Sequence, residues 1–256
     1  MGVEYFDQLF DFQEEYVDIN KVFSYPFEDK QWIRKLGIGA VISLVPILNF
    51  ALSGFLIGII RNVMNDSAEI LPNWDDFGKK FTDGLILFAA GLIYALPLII
   101  IFLPIGIMTA GGLIAGNNHL QGIGQIFAGT GSVLLFCFLC IIMIYGLALA
   151  IIYPAVLVMF AREGTFVSCF KFREAFDKVS KNTSPFFTAL IVSFVGGLVV
   201  GVVFGIFNLV VGWIPCFGWI ASIVVTLGMG IYLITIHGYL FGHFGKVAFG
   251  QNQPMG

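Results

Sequence analysis

The sequence predicts an all-α fold: a polytopic transmembrane helical bundle with four full spans, an N-proximal re-entrant hairpin or fifth span, and cytoplasmic amphipathic interfacial helices. Hydrophobic residues make up 58% of the chain and charged residues 11%, against roughly 25% charged residues in soluble domains. The mean hydropathy is +0.93. Five apolar runs reach the roughly 20 residues that a helix needs to cross a bilayer: Leu36–Ile60, Leu85–Met108, Gly129–Ala161, Phe186–Val211 and Gly218–Phe244.

The first twenty residues form an acidic arm that precedes the apolar runs. They contain six acidic residues and no basic residue. Tyr5, Leu9, Phe12 and Tyr16 recur at helical spacing, which predicts an amphipathic helix; a solvated terminus is the alternative. Anionic lipid would repel this arm, so another protein is its expected docking partner. We assign residues 21–250 to a single transmembrane helical domain and residues 251–256 to a tail.

The stretch LPNWDDFGKKFTDG, residues 71–84, joins the first two runs and predicts a short helix in the headgroup layer. We expect Asn73 to cap this helix, Trp74 to begin it and Gly84 to end it. Its aromatic residues share one face and its charged residues take the others: Trp74, Phe77 and Phe81 against Asp75, Asp76, Lys79 and Lys80. An ordinary capped helix packed on a soluble domain is the alternative.

Two further stretches repeat this layout of an amphipathic segment before an apolar run. Residues 21–35 place Pro26 near a predicted helix start and Trp32 before the first run. Residues 166–184 place Phe170 and Phe176 on a broad apolar face. We expect Ser184 and Pro185 to begin the following span as its cap and first residue.

The charged residues indicate which connections share a side of the membrane. Lysine and arginine occur only at the amino end, at 61–80, at 162–181 and at Lys246, whereas the connections 109–128 and 212–219 carry no charge. By the positive-inside rule the charged loops are cytoplasmic and the two uncharged connections face outward. Residues 109–128 are rich in glycine and are expected to form a flexible outer loop.

Both flanks of the first run are then cytoplasmic, so the run is expected to enter the membrane and return as a re-entrant hairpin. Its turn is placed near Pro46 to Asn49. Each half would be about 18 Å long, short of the roughly 30 Å core, and other helices would have to surround the turn. The alternative is a single crossing, which would export four basic residues of the amino end.

Prolines and glycines predict how the spans bend and pack. Pro97 and Pro104 are expected to bend the second run, because each removes a helical hydrogen bond. Broken helices of this kind line transporter sites and are also common in inert bundles. Small residues four positions apart predict close packing, within the monomer or at a dimer seam: Gly197, Gly201, Gly205, Gly238 and Gly242.

Residue types that carry chemistry are sparse and do not converge. Cys137 and Cys140 lie in an apolar run, where a thiolate is poorly solvated, and are interpreted as packing residues. His237 and His243 are six positions apart, a spacing that does not place them together for a metal. We therefore predict no enzyme activity, no catalytic residue, no metal and no cofactor. The net charge of −3 gives no reason to expect nucleic acid.

The segments FSYPFEDKQWIRKLGIGAVISLVPILN, LPNWDDFGKKFTDGL and FREAFDKVSKN resemble a domain-of-unknown-function family of bacterial and archaeal polytopic membrane proteins. The resemblance covers about residues 20–200, and its most recognisable positions are Leu71, Pro72, Trp74, Gly78 and Gly84. It implies a prokaryotic cytoplasmic-membrane protein and no known activity. The acidic arm lies outside the pattern.

Three functions remain open from the sequence. The first is a non-enzymatic interaction or scaffold protein, or an accessory subunit. Its candidate partners are the lipid bilayer, another membrane or cytoplasmic protein, and a second copy of the chain. The second is a transporter or channel for a small uncharged or lipophilic solute. The third is an enzyme, which would require at least two of the side chains of Asp75, Asp76 and His237 to converge on one pocket. The candidate membrane-interface and partner residues are Trp32, Trp74, Asp75, Asp76, Phe77, Phe81, Phe170 and Phe176.

Overall fold

The computed structural model describes residues 17–117, 121–214 and 217–250, and every regular element in these ranges is helical. The α-helices are α1 (Ile19–Glu28), α2 (Trp32–Ser43), α3 (Phe50–Met64), α4 (Phe77–Asn117), α5 (Gln121–Glu163), α6 (Phe172–Lys181), α7 (Thr183–Val211) and α8 (Phe217–Gly250), with a 3-10 helix at Phe166–Phe170. The all-α prediction is confirmed. Nearly all of the acidic arm and the whole of the tail lie outside the described residues.

Among the described residues, four helices are long and apolar enough to cross a membrane, as predicted. The segments that meet this criterion are Phe77–Pro104 in α4, Phe138–Glu163 in α5, and the whole of α7 and α8. Their exposed side chains are largely valine, leucine, isoleucine and phenylalanine, as expected for helices that lipid surrounds.

The chain forms two compact units. Residues 88–153 form one unit, in which the Tyr145 hydroxyl donates to the Tyr94 carbonyl over 2.6 Å and so links α5 to α4. The other unit contains residues up to Leu87 and from Pro154 onward. This second unit holds the short helices and every ion pair found among the described residues.

The first apolar run forms a helical hairpin. α2 has 12 residues and α3 has 15, so they are about 18 and 22 Å long, and the turn between them contains Pro46 and Asn49. Lys35, near the start of α2, donates to the Leu71 carbonyl over 2.8 Å. Asn62, near the end of α3, donates to the Ile70 carbonyl over 3.0 Å. The two ends of the run therefore meet at the same segment, as the hairpin requires and a single crossing does not allow.

Helix α3 is largely buried within this unit. Ala51, Phe55, Ile57, Ile59 and Ile60 have no exposed surface. The helix packs closely on α8, where Cβ atoms added at Gly238 and Gly242 would lie 2.7 Å from Ile59 and 2.6 Å from Val63. Gly238 and Gly242 therefore lie where α8 packs closely on α3.

The contact between α3 and α4 is closer still. A Cβ atom added at Gly54 would overlap the Lys80 carbonyl, and one added at Gly84 would overlap the Phe50 carbonyl. Each helix thus presents a glycine where the backbone of the other passes. The prediction that Gly84 ends a helix is wrong, because α4 runs through it from Phe77 to Asn117 without a break. Because Gly84 has no side chain, the backbone of α3 at Phe50 can pass directly against it.

Several predicted boundaries are also wrong. α4 begins at Phe77 and not at Trp74, and α7 begins at Thr183, before Ser184 and Pro185. Pro26 lies near the end of α1, whose cap is Asp18. Residues 109–117 and 121–128 are helical and do not form the predicted loop. A helical glycine costs only about 1 kcal/mol relative to alanine, which a long apolar helix tolerates.

The glycines of α7 do not pack within the described part of the chain. Cβ atoms added at Gly197, Gly201 and Gly205 would meet nothing within 4 Å, so the prediction of packing inside the monomer is wrong for them. A Cβ atom added at their neighbour Gly196 would instead lie 3.5 Å from the Phe23 ring. The rotation of α7 about its axis, which the four-residue spacing does not specify, decides which glycine is covered.

Arg61 joins three helices of the bundle. Its Nε donates to the Ala161 carbonyl of α5 over 2.8 Å, and its Nη1 donates to the Asp83 carboxylate of α4 over 2.5 Å. The guanidinium also lies 5.9 Å from the centre of the Phe160 ring. The side chains of Arg61 and Asp83 are 22% and 11% exposed, so water screens this pair little. It holds α3, α4 and α5 in one arrangement.

We expect Gly54→Ala and Gly84→Ala to destabilise the protein, each by about 3 kcal/mol, because the new methyl group would displace a helix backbone. The matched control is Gly197→Ala, which adds the same methyl group in open space and should be neutral or slightly stabilising. Thermal unfolding midpoints in detergent micelles measure the difference. Equal midpoints for Gly84→Ala and Gly197→Ala would contradict the close contact.

We expect Arg61→Met to destabilise the protein by about 3–5 kcal/mol, since it leaves the Asp83 carboxylate largely buried and unpaired. The double variant Arg61→Met/Asp83→Leu should recover much of this loss, because no charge remains buried. A double-mutant cycle on denaturant midpoints tests this prediction. Additive effects of the two single substitutions would show that the side chains do not interact.

Candidate functional site

Lys35 is a lysine with almost no exposed surface, and its amine is fully engaged. Its Nζ donates to Asp29 over 2.6 Å, to Glu69 over 3.3 Å and to the Leu71 carbonyl over 2.8 Å. The residue is 3% exposed, whereas Glu69 is 70% exposed at its side chain. The amine therefore forms a mostly buried ion pair with Asp29 and joins α2 to the segment that follows α3. A buried lysine of this kind is stable only while its partners remain.

Trp74 fixes the same region from the other side. Its ring stacks on Phe55 of α3 with centroids 4.9 Å apart and planes 4° from parallel. Its Nε1 donates to the Lys35 carbonyl over 2.8 Å. Lys35 is thus held at its amine and at its backbone carbonyl, and the segment between α3 and α4 is bound to α2 at both points.

Helix α1 lies across α8 and is attached by two tyrosines. The Tyr25 hydroxyl donates to the Thr235 carbonyl over 2.8 Å, and the Tyr232 hydroxyl donates to the Phe23 carbonyl over 3.0 Å. Burial raises the pKa of Tyr25, so its hydroxyl remains a donor at any physiological pH. Tyr25 also stacks on Tyr239 with centroids 4.8 Å apart. α1 is therefore fixed to a span.

Two polar depressions flank Lys35. One, of about 470 Å³, is lined by the end of α1 and the segment 68–71, with Glu28, Lys30 and Gln31 at its rim. The other, of about 190 Å³, includes Gln31, Arg34, Trp74 and Asp75. We call this area, comprising residues 28–35 and 68–75, the Lys35 surface. Both depressions can accept charged or hydrogen-bonding groups and offer little to an apolar solute.

Two cations on the Lys35 surface are available to a ligand. Lys30 and Arg34 are exposed, and neither has a hydrogen bond or ion pair in the described part of the chain. Asp75 and Asp76 are exposed nearby. Lys35, by contrast, is committed to internal partners. The surface therefore combines a fixed interior with free charges at its rim.

The predicted interface aromatics fall into two groups. Phe77 and Phe81 of α4 pack with Trp74 against the hairpin core, and Phe81 lies 6.0 Å from Phe50 between ring centres. They face the protein, while Asp75 and Asp76 point outward. Trp32 forms an edge contact with Phe27 at 5.1 Å. Among these positions the structure brings Trp74 and Asp75 together on the Lys35 surface.

The second aromatic group lies around α6. Phe170 is partly buried between Phe166 and Phe172, with ring centres 5.2 and 6.4 Å away. Phe176 is 71% exposed. Lys171 and Glu163 are joined over 2.6 Å, and this hydrogen bond raises the pKa of Lys171, which keeps its charge. This area contains aromatic and basic side chains in close proximity.

The groups named for catalysis do not meet on the Lys35 surface. The Nδ1 atom of His237 in α8 lies 2.6 Å from the Leu233 carbonyl oxygen, and its ring stacks on Phe241. Asp75 instead lines the smaller depression of the Lys35 surface. Cys169 is buried, and burial raises the pKa of its thiol to about 11, which makes it a poor nucleophile. Within the described ranges no three His, Cys, Asp or Glu residues could hold a metal ion together.

Sequence reasoning missed the central role of Lys35. A signal was present, because Lys35, Gly39 and Ile42 are spaced as one helix face, and all three are buried. A lysine on an otherwise apolar face indicates a buried ion pair. Asp29 precedes the helix by one turn, but Glu69 and Leu71 are brought to Lys35 only by the return of the hairpin.

The comparisons with known proteins show a family and no activity. The model of the family described as Protein of unknown function (DUF4013) matches residues 38–209. Neither the comparison with curated proteins nor the comparison with solved structures gave a match. The predicted resemblance to a domain-of-unknown-function family is confirmed. Because the match spans more than half of the 256 residues, this helical membrane protein belongs to the family described as Protein of unknown function (DUF4013).

Proposed function

We propose that the protein is a non-enzymatic interaction protein of a prokaryotic cytoplasmic membrane, a scaffold or accessory subunit that holds a partner protein on its Lys35 surface. The observation that carries the proposal is the pair of polar depressions around an internally fixed lysine, with Lys30 and Arg34 unengaged at the rim. Such a surface is preorganised, so a partner would bind without ordering it first.

The positive-inside rule supports a cytoplasmic location for this surface. Arg61 donates to the Ala161 carbonyl near the end of α5, and Lys178 donates to the Ala248 carbonyl near the end of α8. Segments that carry basic residues are retained in the cytoplasm during insertion. The partner would then be a cytoplasmic protein or the cytoplasmic face of another membrane protein. The acidic arm, whose charge disfavours anionic lipid, would add a second contact with it.

The polar lining of the two depressions favours a binding surface over a path for an apolar solute. The alternative, a path for a small uncharged or lipophilic solute, was expected near the prolines of the apolar runs. Pro97 and Pro104 are exposed on the outside of α4, and Pro46 is exposed in the turn of the hairpin, so all three would face lipid. Residues that would line such a path are therefore better explained as lipid-facing, which favours the interaction role.

We expect the double variant Lys30→Glu/Arg34→Glu to lose about tenfold or more of its recovered partner, since two attractive rim charges become repulsive. The assay is chemical cross-linking in native membranes, followed by quantitative mass spectrometry of proteins that co-purify with the full chain. Thermal stability should be unchanged, because neither side chain has an internal partner.

The matched control is Lys79→Glu, which reverses an exposed charge outside the Lys35 surface and should leave recovery as in the native chain. Partner recovery that is the same for the double variant, the control and the native chain would exclude the Lys35 surface as the binding site.

A further inference from the structure

Helix α6 is attached to the protein along a narrow side. Ala175 is 2% exposed, and Lys178 donates to the Ala248 carbonyl at the end of α8 over 2.9 Å. The Lys178 amine also lies 4.6 Å from the centre of the Phe249 ring. These contacts fix both the position of the helix and its rotation about its axis.

That rotation leaves two further sectors of α6 away from the protein. With about 100° between successive residues, Phe172 and Phe176 lie roughly a third of a turn from the attached side, and Arg173, Asp177 and Lys181 lie on the remaining third. Phe176 is 71% exposed and Phe172 is 43% exposed. The three polar residues are exposed as well. The helix therefore faces three different environments.

An ordinary surface helix has two such environments and turns its large apolar side chains toward the core. Here the core receives an alanine and a lysine stem, while two phenylalanines point elsewhere. A helix that lies parallel to a membrane, beside its own bundle, has protein on one side, lipid on the second and water on the third. The arrangement of α6 matches this case.

Charge indicates the kind of lipid. Residues 171–181 contain four basic and two acidic side chains, a net charge of +2. Arg173 has no ion pair or hydrogen bond among the described residues and remains available to a phosphate. Basic residues beside an inserted apolar face favour binding to a leaflet that contains anionic lipid.

The aromatic surface continues beyond the helix. Val167 is 67% exposed and Phe166 is 39% exposed in the 3-10 helix that precedes α6. Phe166, Phe170 and Phe172 form a chain of edge contacts, and Phe172 lies one helical turn before Phe176. The apolar sector is thus larger than one turn of helix, as insertion among lipid headgroups requires.

We propose that α6 is a lipid-binding helix that lies in the headgroup layer, with Phe172 and Phe176 inserted toward the acyl chains and Arg173 and Lys181 near the phosphates of anionic lipids. This binding site is formed by different helices from the Lys35 surface and does not depend on the proposed partner. It would hold the charged end of the bundle at a fixed depth.

A fluorescent probe at two positions of one helix tests the depth. The full chain, with its four native cysteines replaced by alanine, carries NBD on Phe176→Cys or on Asp177→Cys and is reconstituted in nanodiscs of phosphatidylcholine and phosphatidylglycerol. Brominated lipid should quench the probe at 176 about threefold more than at 177, and aqueous iodide should show the reverse order. Asp177 is the matched control because it is exposed and lies on the water-facing third of α6, about 100° around the helix from Phe176.

Equal quenching by brominated lipid at both positions would overturn the proposal, as would ready iodide quenching at 176. Shielding of position 176 from iodide without quenching by brominated lipid would show that protein, either a partner or a second copy, covers the phenylalanines, and would also overturn it.

A second measurement keeps the native cysteines. In detergent micelles, added phosphatidylglycerol should raise the unfolding temperature of the native chain more than added phosphatidylcholine does. Arg173→Glu/Lys181→Glu should remove most of this difference, whereas Lys79→Glu, an exposed charge reversal outside α6, should retain it. A difference that survives in the double variant would contradict the role of these two residues in lipid binding.

Discussion

The backbones of α3 and α4 meet at two points, and the arrangement of the charged end depends on that contact. Gly54 admits the Lys80 carbonyl and Gly84 admits the Phe50 carbonyl, so neither position has room for a side chain. In lipid no hydrophobic effect drives helices together, and close packing of this kind supplies much of their attraction. The contact brings Asp83 to Arg61 and the segment after α3 to Lys35.

The hairpin then solves a problem that a short helix has in a membrane. α2 and α3 are each too short to cross, and the backbone at their turn needs other helices around it. α3 is buried against α4 and α8, whereas turn residues such as Val45 and Ile47 are exposed, so the described helices cover α3 and leave the turn largely uncovered, contrary to expectation. Lys35, near the start of α2, and Arg61, near the end of α3, form ion pairs at the end of the hairpin opposite its turn. Ion pairs therefore hold the open end of the hairpin, and packing holds its interior.

Composition and run length predicted the class of fold and the spans, because lipid imposes length and apolarity on every helix that it surrounds, and the placement of the charged residues predicted the hairpin. They did not predict which glycine serves which purpose. Gly84 and Gly197 look alike in the sequence, yet one admits a backbone and the other lies in open space. Long-range contacts decide between them, as they do for Lys35, whose partners Glu69 and Leu71 are distant in the chain. Phe77 and Phe81 lie on one face of α4 as predicted, but Trp74 precedes the helix, and all three rings meet the hairpin and not the headgroups.

The return of the hairpin is tested most directly by labelling single cysteines in sealed cells. In a chain without native cysteines, Lys30→Cys lies before the hairpin, Lys79→Cys lies after it, and Trp213→Cys lies in the turn between α7 and α8. With an impermeant maleimide, positions 30 and 79 should react only after the membrane is opened, and position 213 should react in intact cells. Reaction of positions 30 and 79 from opposite sides would show that the first run crosses the membrane and would contradict the arrangement described above.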